Sequence, residues 1–359
     1  MLALVRDAGG RRVAVIGDVI VDRYVYGEPV RISREAPVLI LRYTGEEERP
    51  GGAANAAANA AALGARVSVV GLVGADGPGR RLGRMLQRRG LSAELVEDPA
   101  RPTTVKTRVV AAGRQAPRQQ VLRIDWWEAE FPEASVRRRL ADAARQAVEE
   151  ADAVILSEYG GGALSPEVVE AALATAARRA TPVVADSRYR LLEFRGVHAA
   201  TPNLPEAEAL TGRRIRSERE LVAAGRELLS RLGARALVLT RGDEGMSVFL
   251  AGDQPAFRLM PYRPKEVYDV SGAGDTVVAS VALGLACGED RLVAACLLAD
   301  LAAGLVVGKQ GVAVPDLDEL RAAALQWQPE GYSYATPLDP GSAESCGTAD
   351  APARQEERP

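Results

Sequence analysis

The stretch YDVSGAGDT, residues 268–276, runs directly into the apolar segment VVASVALGLA. Two acids flank a Ser-Gly-Ala-Gly turn where a helix is expected to begin. The first N–H groups of a helix lack intrahelical partners, and the helix dipole favours negative charge there. Glycines let an anion approach the backbone itself. Gly272, Ala273 and Gly274 thus have the makings of an anion hole for a phosphoryl group. Asp275, in the first turn, would point into the same space. A carboxylate beside a phosphate is repelled, unless its task is to accept a proton from an attacking hydroxyl. The competing reading is an ordinary N-cap, with Asp269 or Ser271 capping the helix.

Other segments carry similar pairs of readings. PGGAANAAANAA brings Gly51, Gly52 and Asn55 to a helix start, either to contact a polyol or to make a tight turn into an Ala-rich helix. Asp22, just past the first strand, can accept hydrogen bonds from sugar hydroxyls or begin a turn. Asn203 and Glu206, in TPNLPEAE, can hold Mg²⁺ through its water shell; the same spacing is that of a capping box. Gly242 and Gly245, in TRGDEGM, form a hairpin turn by default and a nucleotide-contact loop in the right surroundings. GLVVGKQG falls one residue short of P-loop spacing, and Gln310 replaces the Mg²⁺-binding hydroxyl. His198 is the only histidine. That argues against histidine-based triads and rules out multi-histidine metal sites, so acid–base chemistry falls mainly to carboxylates.

The elements that must position these residues follow from length and pattern. The chain has 359 residues, 47% of them apolar and only 4% aromatic, so alanine and small aliphatics must fill the core. Nothing in its net charge of −3 suggests a nucleic-acid binder, which needs a concentrated basic face. Cys287, Cys296 and Cys346 have neither metal-ligand nor redox spacing and fit a reducing cytoplasm. The N-terminus shows no signal-peptide pattern. The apolar region Val277–Val307 is broken by GEDR and contains Asp300, so it reads as two buried helices rather than a membrane span. The expected location is the cytoplasm. RVAVIGD, AVILSEY, PVVADS, HAATPN and ALVLT are strands alternating with helices, which predicts an α/β fold with a mainly parallel sheet covered on both faces. Residues 23–45 and 104–124 are expected to form a small β lid. Residues 328–359 read as a disordered tail, rich in Pro, Gly and charge.

Taken in order, these pieces resemble the ribokinase-like (PfkB) carbohydrate kinases over residues 10–327. The pieces are a G-D-x-x-x-D strand end, Gly-Gly-x-x-Asn, Asn-x-x-Glu, Thr-Arg-Gly and Asp-x-Ser-Gly-Ala-Gly-Asp. Within that family, GDVIVDRYVYG, RISREAPV, RQQVLRID, TPNLPEAEA, EVYDVSGAGDTV and AAGLVVGKQG look like the kinase half of the heptose 7-phosphate kinases. Two positions depart from that pattern: Gly161 and Arg188 each stand where the family has Lys. The resemblance implies Asp275 as catalytic base, with Gly272, Ala273 and Gly274 as the anion hole. It assigns the sugar to Asp22, Gly51, Gly52 and Asn55, and Mg²⁺ to Asn203 and Glu206 through water. ATP would lie against Thr240, Gly242 and Gly245, with Lys309 nearby. The implied reaction phosphorylates the anomeric hydroxyl of D-glycero-β-D-manno-heptose 7-phosphate, on the way to ADP-heptose. Lys106 and Arg108, on one face of TVKTRVV, are expected to hold the 7-phosphate, with Arg34 and Arg118 close by. A homodimer is expected, as is a separate adenylyltransferase, because the H-x-G-H motif of the fused enzymes is missing. A monovalent cation is left open.

Overall fold

The computed structural model describes residues 2–112, 118–252, 254, 256–259, 261–262, 269–309, 311–326 and 335–338. Fourteen strands occur among them. The first seven are β1 (Arg12–Gly17), β2 (Val19–Ile32), β3 (Leu39–Gly52), β4 (Arg66–Gly74), β5 (Ser92–Asp98), β6 (Val105–Ala111) and β7 (Gln119–Trp126). The rest are β8 (Ala153–Glu158), β9 (Val183–Ser187), β10 (Ala199–Ala200), β11 (Ala236–Thr240), β12 (Met246–Leu250), β13 (Phe257–Leu259) and β14 (Ala335–Pro337). The helices are α1 (Leu2–Ala8), α2 (Ala53–Ala62), α3 (Gly77–Arg88), α4 (Ala134–Glu150) and α5 (Pro166–Arg179). They continue with α6 (Leu204–Thr211), α7 (Glu218–Leu232), α8 (Ala273–Cys287), α9 (Leu292–Val307) and α10 (Leu317–Gln326).

Ten strands form one sheet in the order β14-β13-β12-β11-β10-β9-β8-β1-β4-β5. It is parallel from β5 to β11 and antiparallel from β11 to β14. Side chains alternate along β1, so Val13 and Val15 join a core with α2, α8 and α9, while Ala14 and Ile16 join one with α4, α5 and α7. The α/β architecture with both faces covered is thus as the alternating pattern predicts. Alanine lets α2 and α8 approach closely, and all eight residues from Ala53 to Ala60 are buried. The helix α8 is apolar all round and buried from Asp275 to Leu285, which fixes its N-terminus rigidly in the molecule.

A second sheet, in the order β3-β2-β6-β7, stands where the sequence places the lid, with strands longer than expected. The strands β2 and β6 run parallel, and β3 and β7 flank them antiparallel. Because only Asp18 separates the end of β1 from the start of β2, the lid grows directly out of the main sheet.

One expectation is corrected. Residues 335–338 are not tail: Ala335–Pro337 pair with β13, and Leu338 is buried against the core. An open sheet edge gains hydrogen bonds from any added strand, and composition does not report that opportunity. The remainder of residues 328–359 lies outside the described residues, as does Cys346. Cys287 and Cys296 are free thiols, and Cys296 is buried, which pushes its thiol up to about 12. Val183 N–H donates to His198 Nδ1 at 3.2 Å, a structural contact. No described helix is long and apolar enough to cross a membrane.

Candidate active site

The carboxyl ends of the parallel strands converge on the N-terminus of α8. Gly272 is the N-cap, with φ 85°, and no side chain caps the helix. Asp269 instead accepts from Ser271 N–H at 2.9 Å and the Val270 carbonyl accepts from Ala273 N–H at 3.4 Å, which leaves the N–H groups of Gly274 and Asp275 open to a ligand among the described residues. A Cβ at Gly272 would also come within 2.7 Å of Asn55 Nδ2, whereas one at Gly274 would meet open space. Gly272 is therefore glycine for backbone conformation and close packing, and Gly274 keeps the helix mouth open.

Asp275 is 5% exposed. Its Oδ2 accepts from Asn55 Nδ2 at 2.7 Å, and its Oδ1 accepts from the Tyr159 hydroxyl at 3.0 Å. Burial pushes its carboxyl up to about 7; the bonds from Asn55 and Tyr159 and the charge of Lys106 oppose that rise, and Asp22 adds to it. A carboxylate poised near neutrality suits a general base. Behind it, Asn59 donates to the Asn55 carbonyl at 2.9 Å and accepts from the Thr276 hydroxyl at 2.7 Å, locking α2 to α8.

Two cavities meet at this point. The first, about 370 Å³, lies under the lid and is lined by Asp22, Lys106, Arg108, Tyr159, Asn203 and Asp275, among others. The second, about 450 Å³, is bordered by Thr240, Gly242, Gly245, Ala273 and Gly274 and by the apolar Met246, Val277, Ala303 and Val307. They share Thr240, Val270 and Gly274. A larger groove, about 590 Å³, runs between α4 and α5, but it is lined by surface charges such as Arg137 and Glu167 and touches no strand end. Ligands of open α/β sheets bind outside the carboxyl ends of the strands, so the first two cavities form the site.

Asp22 is buried and ion-paired with Arg108. The Arg108 guanidinium lies 5.3 Å from the Tyr24 ring centroid. Gly51 and Asn55 stand behind the cavity rather than in its lining. A Cβ at Gly51 would fall 2.1 Å from Asp22 Oδ2, so this glycine makes room for the aspartate. Gly52, with φ 56°, does line the cavity. Lys309 is not in the lining of either cavity: it pairs with Glu319 of α10 at 2.6 Å, drawn there by the acidic first turn of that helix. Arg34 and Arg118 are exposed and outside both linings, and Arg118 stacks on Tyr26 at 5.1 Å.

The capping box at α6 forms: Asn203 Oδ1 accepts from Glu206 N–H at 2.9 Å, and Glu206 Oε2 accepts from Asn203 N–H at 3.0 Å. Both residues also line the first cavity, so cap and ligand role are compatible. Asp186, at the end of β9, faces the same space. Burial and the charges of Asp275 and Glu206 push it up to about 8, and Thr201 donates to it at 3.1 Å. Asp186, Glu206 and Asp275 crowd one wall of the cavity, with Arg188 offsetting Glu206 and Lys106 offsetting Asp275 only in part, an arrangement that fits a divalent ion. No cluster of three or more potential ligands for direct coordination occurs among the described residues. That combination suits Mg²⁺, which keeps several waters and shares its coordination with phosphates.

Sequence reasoning missed Tyr159 and Asp186 as site residues. The signal was their place: each sits at the carboxyl end of a parallel strand, β8 and β9, beside the strand ends that were recognised.

A family model, pfkB family carbohydrate kinase, matches residues 11–319. The chain belongs to this family. It is therefore a phosphotransferase with an alcohol acceptor. It is 44% identical over 318 residues to the Bifunctional protein HldE of Pseudomonas aeruginosa, covering 88% of this chain and 64% of that protein. The HldE of Pseudomonas entomophila is likewise 44% identical, over 312 residues. The chain thus spans under two-thirds of the length of these relatives. Phosphofructokinase-2 from Escherichia coli, in complex with substrates and products, superposes with a TM-score of 0.71 at 18% identity, covering 88% of this chain and 99% of the other. Arabidopsis thaliana ribokinase, complexed with ribose and ATP, gives 0.68 at 20% identity, covering 88% and 98%. At these identities the likeness is one of fold.

Proposed function

We propose that this carbohydrate kinase transfers the γ-phosphoryl group of ATP to the anomeric hydroxyl of D-glycero-β-D-manno-heptose 7-phosphate, giving the 1,7-bisphosphate. The observation that carries the reading is the position of Asp275: a buried carboxylate near neutrality, held by Asn55 and Tyr159, where the two cavities meet. The heptose acceptor is supported by the identity to HldE and by the run of segments resembling heptose 7-phosphate kinases.

The acceptor occupies the cavity under the lid, where Asp22, pinned by Arg108, accepts sugar hydroxyl hydrogen bonds. The nucleotide occupies the cavity floored by α8 and α9, its base against Met246, Val277 and Val307 and its phosphates towards Gly272–Gly274. Asp275 accepts the proton of the attacking hydroxyl, and the α8 N-terminus stabilises charge on the transferring group. Asn203, Glu206 and Asp186 would hold Mg²⁺, partly through water, and the ion would neutralise phosphate charge. A monovalent cation is a further candidate cofactor.

The protein is also proposed to dimerise through its lid. The strand β7 is exposed along its whole length, and Val30, Ile32, Leu39, Tyr43, Leu122 and Ile124 leave the lid with apolar surface facing water.

The test is ADP release with heptose 7-phosphate, dephosphorylated heptose and fructose 6-phosphate as acceptors. The highest kcat/KM is expected for heptose 7-phosphate. A higher value for either of the others refutes this acceptor.

A further inference from the structure

A third, smaller cavity of about 130 Å³ opens from the acceptor cavity on the far side of Tyr159. The two share Lys106, Arg123, Tyr159 and Arg188. Resting on the reading of the chain as a sugar-phosphate kinase, we propose that Lys106, Arg123 and Arg188 bind the phosphate monoester that the acceptor carries at the end remote from its reacting hydroxyl.

The charge balance of this small cavity points to an anion, since its lining sets Lys106, Arg123 and Arg188 against Asp18 and Asp125. Arg108 has Asp22 as its partner and Arg123 has Asp125. Among the described residues, Lys106 and Arg188 have no carboxylate within ion-pair distance; their close neighbours are aromatic. Lys106 Nζ lies 4.9 Å from the Tyr159 ring centroid, and the Arg188 guanidinium lies 5.9 Å from that of Tyr189. Arg188 is exposed, but Lys106 is partly withdrawn from water, which is costly for a cation without an anionic partner. The cost registers at Lys106, whose pKa is lowered chiefly by desolvation.

The two acids that line this space, Asp18 and Asp125, are already engaged by the protein. Asp18 accepts from the N–H groups of Tyr159, Gly161 and Ala163 at 2.6, 3.0 and 3.0 Å. Asp125 is gripped by Arg123 through both oxygens, at 2.8 and 2.6 Å. The loop is tightly fitted. A Cβ at Gly161 would lie 3.0 Å from Asp18 Oδ1, and one at Gly160, where φ is 77°, would lie 3.1 Å from the Tyr189 ring.

The anion is not the nucleotide's. Neither Thr240 nor Gly272–Gly274 lines this small cavity, and no residue of the nucleotide cavity does. Its volume suits one tetrahedral oxyanion rather than a second sugar ring. Tyr159 ties the two ends together: its hydroxyl holds the base while its ring carries Lys106. An acceptor reaching across Tyr159 would present one hydroxyl to Asp275 and its phosphate to the cations. Arginine suits this role, because its planar fork matches phosphate oxygens in pairs.

The experiment measures kcat/KM for heptose 7-phosphate relative to dephosphorylated heptose in the wild type, Arg188→Ala, Arg188→Lys and Lys106→Ala. It also measures inhibition by inorganic phosphate competing with the unphosphorylated sugar. In each alanine variant the ratio should fall about 10- to 100-fold, the usual consequence of losing a charged hydrogen bond. Arg188→Lys should fall between wild type and Arg188→Ala, and phosphate inhibition should weaken in parallel. If the wild type prefers the 7-phosphate and the variants keep that preference, the site is refuted while the kinase reading stands. If the wild type shows no such preference, the heptose 7-phosphate reading fails. Inorganic phosphate then decides the site: competition that depends on Arg188 supports it, and competition insensitive to Arg188, or none, overturns it.

Discussion

Replacing Tyr159 with Phe removes one hydroxyl and keeps the ring on which Lys106 rests. That hydroxyl donates to Asp275 Oδ1 at 3.0 Å and so favours the ionised base. Burial has already raised Asp275 to about 7, and the Tyr159 bond is one of the forces holding it there. A hydrogen bond to a charged group contributes about 1.5–3 kcal/mol, and about 1.36 kcal/mol corresponds to one pH unit. The acid limb of the kcat/KM profile should therefore move upward by about one to two pH units. The sign follows from the role: a base must be ionised, so raising its pKa depletes the active form below the new limb. Below both limbs the loss should be roughly 10- to 100-fold, and it should shrink as pH rises past the new limb. The assay is initial ADP release at subsaturating acceptor across the pH range, with circular dichroism confirming the fold. An unmoved acid limb in a folded Tyr159→Phe variant would refute the assignment of Tyr159 to the base.

Truncation immediately before Ala335 should lower the melting temperature by a few degrees relative to truncation after Leu338, because it strips β14 from β13 and removes the buried Leu338, a side chain worth ~1.5–3 kcal/mol. Equal melting temperatures would show that the added strand contributes nothing. Chelating Mg²⁺ should abolish turnover, and Asp186→Asn should raise the Mg²⁺ concentration giving half-maximal rate by about 10- to 100-fold; an unchanged Mg²⁺ dependence would remove Asp186 from the metal site. Light scattering should report a dimer that Leu122→Glu with Ile124→Glu converts to a monomer, and a wild-type monomer would dispose of the lid interface.

The local parts of the site were legible and the assembled parts were not. Gly272 to Asp275 are contiguous, so spacing offered the pairing of an anion hole with a carboxylate beside the alternative of an ordinary N-cap, and the resemblance to the family chose between them. Asn55 grips Asp275 across 220 residues, and Tyr159 does so across 116, distances at which no periodicity links two residues. Strand alternation brought Lys106 and Arg108 together on the cavity side, yet the ion pair with Asp22 is what separates their roles. For Asn203 and Glu206 the sequence offered a cap or a metal site, and the structure builds the cap on the cavity wall. The parallel sheet was readable from alternation. The edge strand β5 was not singled out because it is mostly exposed and carries no apolar run, and the helices α1 and α10 were not singled out either. Ala335–Pro337 is the sharpest case, three residues whose strand exists only because β13 offers an edge.

The central claim is that Asp275 takes the proton of the attacking sugar hydroxyl. Single-turnover phosphoryl transfer by Asp275→Asn, with ATP, Mg²⁺ and heptose 7-phosphate all saturating, tests it without interference from binding or product release. Asparagine keeps the size of the side chain and loses the proton acceptor. The account predicts a chemical step slowed by about 10²–10⁴-fold in a folded protein that still binds nucleotide. A folded, nucleotide-binding Asp275→Asn enzyme that transfers the phosphoryl group at near the wild-type rate would contradict it.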